Sequence, residues 1–579
     1  MIQVSEEYKK ACEDSTRKSY VIAKYGIFNK QAKGQISKVE SEKKVFSNIN
    51  KTYNEIKDTK YNYISCEPNR VLLNDNFYFL TNKEVANEKE LIAYWSNELS
   101  NANCLFTTNP KITYEFTQNI AFTELTLYFQ EICVEFDVRY YLDGTLVALR
   151  EVRNNTSLIP TTEGATTLAD IYFNKIEIEF IKTNEPYRYI KFNEIDFGVY
   201  ELFTNEQIID YNILEELSID SSELSSNSFN LIIDDEQGQY DILNPNNKLN
   251  KLQERQEISF YHYLQVRNEF KEMPLGTFLL KKFDVKDMRL EIEAYDDTYF
   301  MNKIYYGSKF YKDVEVKQIL QDLFEYFNYV NYKIDDELNG IKLTGYIPNV
   351  EFREALRMIC EASCAVINKT RFGETYIFKT YDNVAKNFTR NIIFKENPTR
   401  NLFNNVVDVV EYNFGSKTES AEIYNATLPI GKHTVLFTKF PVDENTIIKG
   451  NVNYDYTILE KYSTSCVIDV KIETNVVLKG TLYNTTSIVK RIVKDENVVF
   501  DDYAISKVDN KLITSLNSVG VGQWKLSRND IKYNFETLQL PYIEVGDTCT
   551  YSTKYNTNNV FIPTRIEFSK SIRQNVEGE

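Results

Sequence analysis

Ile209-Asp-Tyr-Asn-Ile-Leu-Glu-Glu-Leu-Ser-Ile-Asp220 begins the stretch that decides the fold. It continues through Leu224-Ser-Ser-Asn-Ser-Phe229, Leu231-Ile-Ile-Asp-Asp-Glu-Gln-Gly238-Gln-Tyr-Asp241 and the turn cluster Asn244-Pro245-Asn246-Asn247. It closes with Pro274-Leu-Gly-Thr-Phe278 and Leu290-Glu-Ile-Glu-Ala-Tyr-Asp296. Each apolar run alternates with polar residues, as a strand with one buried and one wet face requires. Asx, Pro and Gly residues separate the runs, as in turns. Asp234 to Gly238 lacks the alternating acids and later Glu of a calcium loop, so it reads as a hairpin turn. Together these strands predict a small closed β-barrel over 206–305.

The alternation continues upstream. Ile112-Thr-Tyr-Glu-Phe116, Leu125-Thr-Leu-Tyr-Phe129, Val134-Glu-Phe-Asp-Val-Arg-Tyr140 and Ile176-Glu-Ile-Glu-Phe180 are short strands at even spacing, and Asp143-Gly144 is a tight hairpin signal. They predict a β-sandwich over 63–205. Residues 1–62 are polar, with Ser5-Glu6-Glu7 marking a helix start. The mixed Lys, Glu and Asn of Lys38 to Lys60 read as an extended arm or hairpin with mobile parts, ordered by a partner.

Downstream, Val316, Ile319, Leu320, Leu323, Phe324 and Phe327 recur at helical spacing, as do Phe352, Ala355, Leu356, Ile359 and Cys360 after Pro348. Ala365-Val-Ile-Asn and Glu374-Thr-Tyr-Ile-Phe378 follow as strands joined at Arg371-Phe-Gly373. This predicts a small α/β domain over 306–394. From Asn397 the chain is β-rich. Residues 430–525 read as an inserted β-domain, and 395–429 is expected to pair with 526–579 as a second barrel. The fold class is therefore mainly β and multidomain.

Composition bounds the function. The chain has 579 residues, enough for several cores, and aromatic residues make up 14%, a bias toward pleated surfaces. A net charge of −17 without a dense basic run argues against nucleic-acid recognition. The eight cysteines are scattered, and Cys360 with Cys364 reads as helix packing. The start carries no signal peptide, and no apolar run is long enough for a membrane helix. Only two histidines occur, in different expected domains: His262, on the alternating strand Ser259-Phe-Tyr-His-Tyr-Leu264, reads as a surface or barrel-wall residue, and His433, after Gly431-Lys432, as turn-adjacent. A Ser-His-Asp, Cys-His or His-metal site is therefore not expected, nor is a phosphate loop, since the nearest approach, Val519-Gly520-Val521-Gly522, lacks the third glycine. No catalytic, cofactor or metal site follows, and the chain is not expected to be an enzyme. The candidate glycan-binding residues are Trp95, whose ring can stack on a sugar, and the loop residues Arg153, Asn154 and Asn155, whose polar groups can hold hydroxyls.

Several of these segments resemble known families. Ser65 to Asn74, Tyr94-Trp95-Ser96, Pro110 to Phe116, the Asp137 to Leu146 hairpin and Arg188-Tyr-Ile-Lys-Phe-Asn-Glu-Ile-Asp-Phe-Gly198 resemble the galactose-binding-like, or discoidin-like, sandwiches. The 206–305 stretch, the Gly345-Tyr-Ile-Pro348 segment entering the second helix, and Pro541-Tyr-Ile-Glu-Val-Gly-Asp547 resemble the baseplate hub and tail-tip proteins of phages and phage-like tails (tailocins). The resemblance implies two tail-tube-like barrels per chain and a homotrimer. It also implies tail-tube and other baseplate proteins as partners, and assembly in the cytoplasm into a particle released by lysis. The alternative it leaves open is a receptor-binding protein holding cell-surface glycans through the sandwich.

Overall fold

The computed structural model describes residues 2–14, 16–28, 30–41, 48–53, 63–64, 67–68, 78–79, 93–121, 125–160, 172–236, 238, 240–241, 243, 255–379, 386–400, 406–451, 455–494, 506–527, 531–551 and 559–579. The protein is mainly β and divides into two compact units. The first comprises 1–23, 203–250 and 257–579, and the second comprises 24–202 and 251–256. The turn cluster at 244–247 and most of Ser65 to Asn74 lie outside the described residues.

The first unit is built on a long antiparallel sheet. From Glu257–Val266 the order runs through Glu269–Lys286, Arg289–Tyr295, Ser228–Asp234, Ile208–Glu216, Pro563–Ser569, Arg573–Gly578 and Ile531–Leu538 to Ile393–Glu396. The alternation read in the sequence holds. Along Ile208–Glu216, Tyr211, Ile213 and Glu215 point inward, while their neighbours are exposed or half-buried. The two stretches expected to form separate barrels join edge to edge, with Ile213 opposite Phe568 and Glu215 opposite Ile566. The expected pair of closed barrels is thus one shared sheet whose strand path is open among the described residues. The physical reason is that each stretch supplies an edge strand of matching alternation, and pairing them satisfies both edges at once.

Of the 395–429 segment, Thr399–Arg400 pairs with Ile531–Leu538. Val406–Lys417 instead pairs antiparallel with Tyr483–Val493 and parallel with Ser506–Asp509. Val407, Val409 and Val508 enter the core of the helical module, together with Leu512, Ile513 and Val521. A strand that is apolar on both faces serves such a core better than a half-wetted barrel wall. A separate small core takes Phe437, Tyr456, Ile468 and Leu478 from the expected insertion and Ile423 from the 395–429 segment before it.

The helices follow their spacing. Val316–Tyr326 buries Val316, Ile319, Leu320, Leu323 and Phe324 on one face. Phe352–Ser363 buries Phe352, Ala355, Leu356, Ile359 and Cys360, and ends at Cys364 in the left-handed region. Before it, Gly345 has φ +140, and a Cβ there would stand 2.0 Å from the Lys511 carbonyl oxygen, so this close approach requires glycine. At the N-terminus, Glu6–Glu13 is capped by Ser5, whose hydroxyl accepts from the Tyr8 N–H at 3.2 Å.

In the second unit, one sheet has the order Ile36–Ser41, Lys111–Ala121, Tyr172–Thr183, Cys133–Leu142, Thr145–Val152. The other has the order Tyr94–Trp95, Lys191–Asp196, Thr126–Phe129. They share an apolar core that includes Tyr114, Phe136, Ile178 and Phe180 from the first and Leu127, Phe129 and Phe192 from the second. Asp143 and Gly144 both have positive φ and turn Leu142 back onto Thr145, as their types predict. Part of the expected arm is ordered within this unit. Ile36–Ser41 pairs with Lys111–Ala121, because Ile36 and Val39 find the shared core.

Candidate functional site

The most strongly constrained polar centre of the first unit is Arg371, which the sequence marks only as a turn residue. It lies between Val366–Lys369 and Thr375–Phe378, where Gly373 takes φ +79 and donates its N–H to the Thr370 carbonyl at 2.9 Å. The turn drives the Arg371 side chain inward, leaving it 2% exposed.

There the guanidinium forks onto Glu215, with Nε donating to Oε1 at 2.5 Å and Nη2 to Oε2 at 2.9 Å. Nη2 also donates to the Ile543 carbonyl at 2.5 Å, and Nη1 donates to the Pro541 carbonyl. The Phe568 ring centroid lies 4.8 Å from the guanidinium carbon. The Arg371 backbone N–H donates to Glu544 Oε1 at 3.3 Å, and the Glu544 N–H donates to Asp547 Oδ2 at 2.9 Å. Burial works against the charge on Arg371, but Glu215 outweighs it and holds the guanidinium protonated above its ordinary value. Burial also pushes the Asp547 carboxyl above the usual carboxylate range.

The surrounding contacts extend the clamp. Asn368 Nδ2 donates to the Val545 carbonyl at 3.2 Å, Ser221 Oγ to the Ala365 carbonyl at 2.7 Å and Arg353 Nη2 to the Leu224 carbonyl at 2.7 Å. Lys369 pairs with Asp297 at 2.7 Å. Next to it, Asp296 accepts from the N–H groups of Asn227 and Thr298, while burial pushes its carboxyl up to about 6. The hairpin thus fastens both contributors to the sheet, through Glu215 on one side and the Pro541–Asp547 segment on the other. A fully forked, buried arginine fixes geometry, and a guanidinium does not give up its proton at ordinary pH. The guanidinium therefore holds backbone in place and takes no part in proton transfer. Glu215 was legible in one respect, since it is a charge on the inward parity of an alternating strand.

The residues singled out for glycans lie in the second unit. Trp95 is 5% exposed, stacked on Tyr189 at 6.0 Å, with the Lys191 ammonium 4.7 Å from its ring centroid. Lys191 itself pairs with Glu67 at 2.6 Å and Glu131 at 2.5 Å. Arg153 donates to Asp137 at 2.7 Å and Glu151 at 3.1 Å. Asn154 is exposed with φ 59. Asn155 Nδ2 donates to the Cys133 and Ser157 carbonyls, at 2.8 and 2.9 Å. Arg153, Asn154 and Asn155 share a loop that follows Thr145–Val152, whereas Trp95 lies on a strand of the other sheet.

The two histidines stand apart. His433, on Gly431–Leu436, places Nε2 2.9 Å from the Pro429 carbonyl. His262 is 2% exposed, where an exposed or wall position was expected, and neither ring nitrogen has a hydrogen-bond partner among the described residues. Burial, with Arg17 adding to it, lowers its pKa to about 3. Among the described residues no group of His, Cys, Asp and Glu is arranged to hold a metal ion. None of their helices is long and apolar enough to cross a membrane.

No family model matches the chain, and no curated protein matches it. Among solved structures it is similar to the 43 kDa tail protein of prophage MuSo2 from Shewanella oneidensis, at 11% identity over 66% of this chain and 95% of that one, with a TM-score of 0.37. It is also similar to the tail protein from Neisseria meningitidis MC58, at 10% identity over 65% and 93%, with a TM-score of 0.37. A third is prophage tail protein gp18 from Listeria monocytogenes EGD-e, at 11% identity over 66% and 91%, with a TM-score of 0.31.

Proposed function

We propose that this chain is a structural component of a phage or phage-derived tail. It acts as the baseplate hub or tail tip, continues the tail tube as a homotrimer and seats neighbouring tail-tube and baseplate proteins. The observation that carries this reading is the single sheet formed by the two hub-like stretches, joined through Ile208–Glu216 and Pro563–Ser569 and pinned by Arg371. A tube wall under load is served by unbroken backbone pairing and a dry, forked anchor. The Pro541–Asp547 segment, which resembles hub proteins in sequence, is the one that wraps this anchor. The role is mechanical, and no turnover of an outside substrate belongs to it.

Immunogold electron microscopy of lysate from the producing cell, with antibody against residues 66–203, tests the proposal. Gold confined to one end of tail-like particles is the expected result. Gold on cell envelopes, or on no particle, overturns it and moves the weight to a free glycan-binding protein.

A further inference from the structure

A second buried ionic centre, in the second unit, has the makings of a reaction. The short helix Lys30–Gly34 packs Ala32 into the apolar core and directs Lys33 onto the strand Lys191–Asp196. That strand carries a register shift between Phe192 and Glu194. Before the shift Ile190 and Phe192 face the core, and after it Ile195 and Phe197 do. Glu194 and Asp196 therefore share the opposite face, as residues two apart on a strand must. Both are nevertheless dry, with side chains 0% and 4% exposed, and Lys33 is 14% exposed. Lys33 Nζ lies 2.5 Å from Asp196 Oδ1 and also contacts Glu194 Oε1. From the other side the Tyr128 hydroxyl donates to Asp196 Oδ2 at 3.0 Å.

We infer that Lys33 and Asp196 are joined by a self-catalysed amide bond, with Glu194 as the proton carrier. Three features support it. The nucleophile is in place, because Nζ can be no farther from Asp196 Cγ than about 3.7 Å, the sum of its contact with Oδ1 and one carbon–oxygen bond. That bound is close to the near-attack range of about 3–3.5 Å, and holding the two groups there supplies part of the entropic barrier in advance. Burial disfavours separated charges, so the neutral amide and released water are a better occupant of the site than an ammonium between two carboxylates. The Tyr128 hydroxyl polarises the carboxyl under attack.

The step balances. The site begins with three protons on Lys33 Nζ, one on the Asp196 carboxyl and none on Glu194. Glu194 takes a proton from Nζ, and the amine lone pair forms the N–C bond at Asp196 Cγ. Glu194 returns its proton to the departing oxygen as the C–O bond breaks and water leaves. It then takes the surplus proton from nitrogen. The site ends with one proton on the amide nitrogen, two in water and one on Glu194. No oxidant, metal or cofactor is involved. The bond ties the residue 33 segment to the central strand of its sheet, and this inference stands independently of the tail assignment.

Intact-mass spectrometry of the purified full chain tests it, followed by sequencing of the proteolytic fragments. The expected mass is one water below that of the sequence, with a branched peptide joining Lys33 to Asp196. Glu194→Gln and Lys33→Arg should each restore the full mass. Circular dichroism of both variants shows whether they fold, and because wild type alone already reports the missing water, a misfolded variant does not leave the question open. An unmodified mass in folded wild type overturns the proposal. So does a missing water that maps elsewhere, for instance to Lys191 with Glu67 or Glu131.

Discussion

The two centres, Arg371 in one unit and Lys33 in the other, each bury a cation against carboxylates, and they do so with different side chains. In the first, Arg371 meets Glu215, two backbone carbonyls and an aromatic face, and both arms and the Nε of its planar fork are used. In the second, Lys33 and Lys191 each face two carboxylates. An ammonium is a compact point charge that can lose a proton and become a nucleophile, whereas a guanidinium cannot. The contrast teaches that similar buried pairing can build a permanent clamp in one place and a reactive centre in another.

The sharpest way to break the comparison is Arg371→Ala. It strands Glu215 in the interior and should cost about 4 kcal/mol, measured by chemical denaturation. Arg371→Lys should recover less than half of that, because lysine cannot fork. Full recovery would mean that charge alone matters there, and the distinction between the two centres would collapse. A backbone control comes next. Gly345→Ala forces a Cβ against the Lys511 carbonyl and should cost about 3 kcal/mol without touching the clamp, also read by denaturation.

A third test asks whether burial without a partner behaves differently from burial with one. The folded pKa of His262 is lowered to about 3, below its unfolded value near 6.5. Its contribution is therefore fully present above pH 6.5 and is lost as pH falls toward 3. By pH 5 wild type should have lost roughly 2 kcal/mol from this group. His262→Phe should lack that part of the acid slope in thermal melts taken from pH 7.5 to 5. The smallest effect belongs to Phe372, which is 66% exposed beside the buried Arg371. Phe372→Ser should change the stability of the isolated chain by less than about 0.5 kcal/mol. A larger loss would show that the hairpin tip is held by more than its arginine.

The local parts of this architecture were legible in the sequence. The apolar spacing of Val316 to Phe324 gives a helix because one face must meet a core, and Asp143-Gly144 gives its hairpin because both residues tolerate positive φ. What remained hidden depends on partners far apart in the chain. Arg371 reads as a turn until Pro541 and Ile543 are brought to it, and Lys33 reads as part of a polar arm until Glu194 and Asp196 appear beneath it. The carboxylates of Phe192-Asn-Glu-Ile-Asp-Phe197 offered a clue, being charges set among core residues. A register shift decides which face they take, and no periodicity encodes it. Pairing of Val406–Lys417 with Tyr483–Val493 was hidden as well, since the two strands lie far apart in the chain.

The junction between Ile208–Glu216 and Pro563–Ser569 also sets a schedule for synthesis. The earlier strand leaves the ribosome long before its partner has been translated, a gap on the order of tens of seconds at ordinary elongation rates. Throughout that interval its hydrogen-bonding edge is open, and Glu215 and Arg371 can meet before the Pro541–Asp547 segment exists to enclose them. A nascent chain of this design therefore spends much of its birth half-zipped, and a chaperone that shields one strand edge would serve it better than one that shields apolar surface.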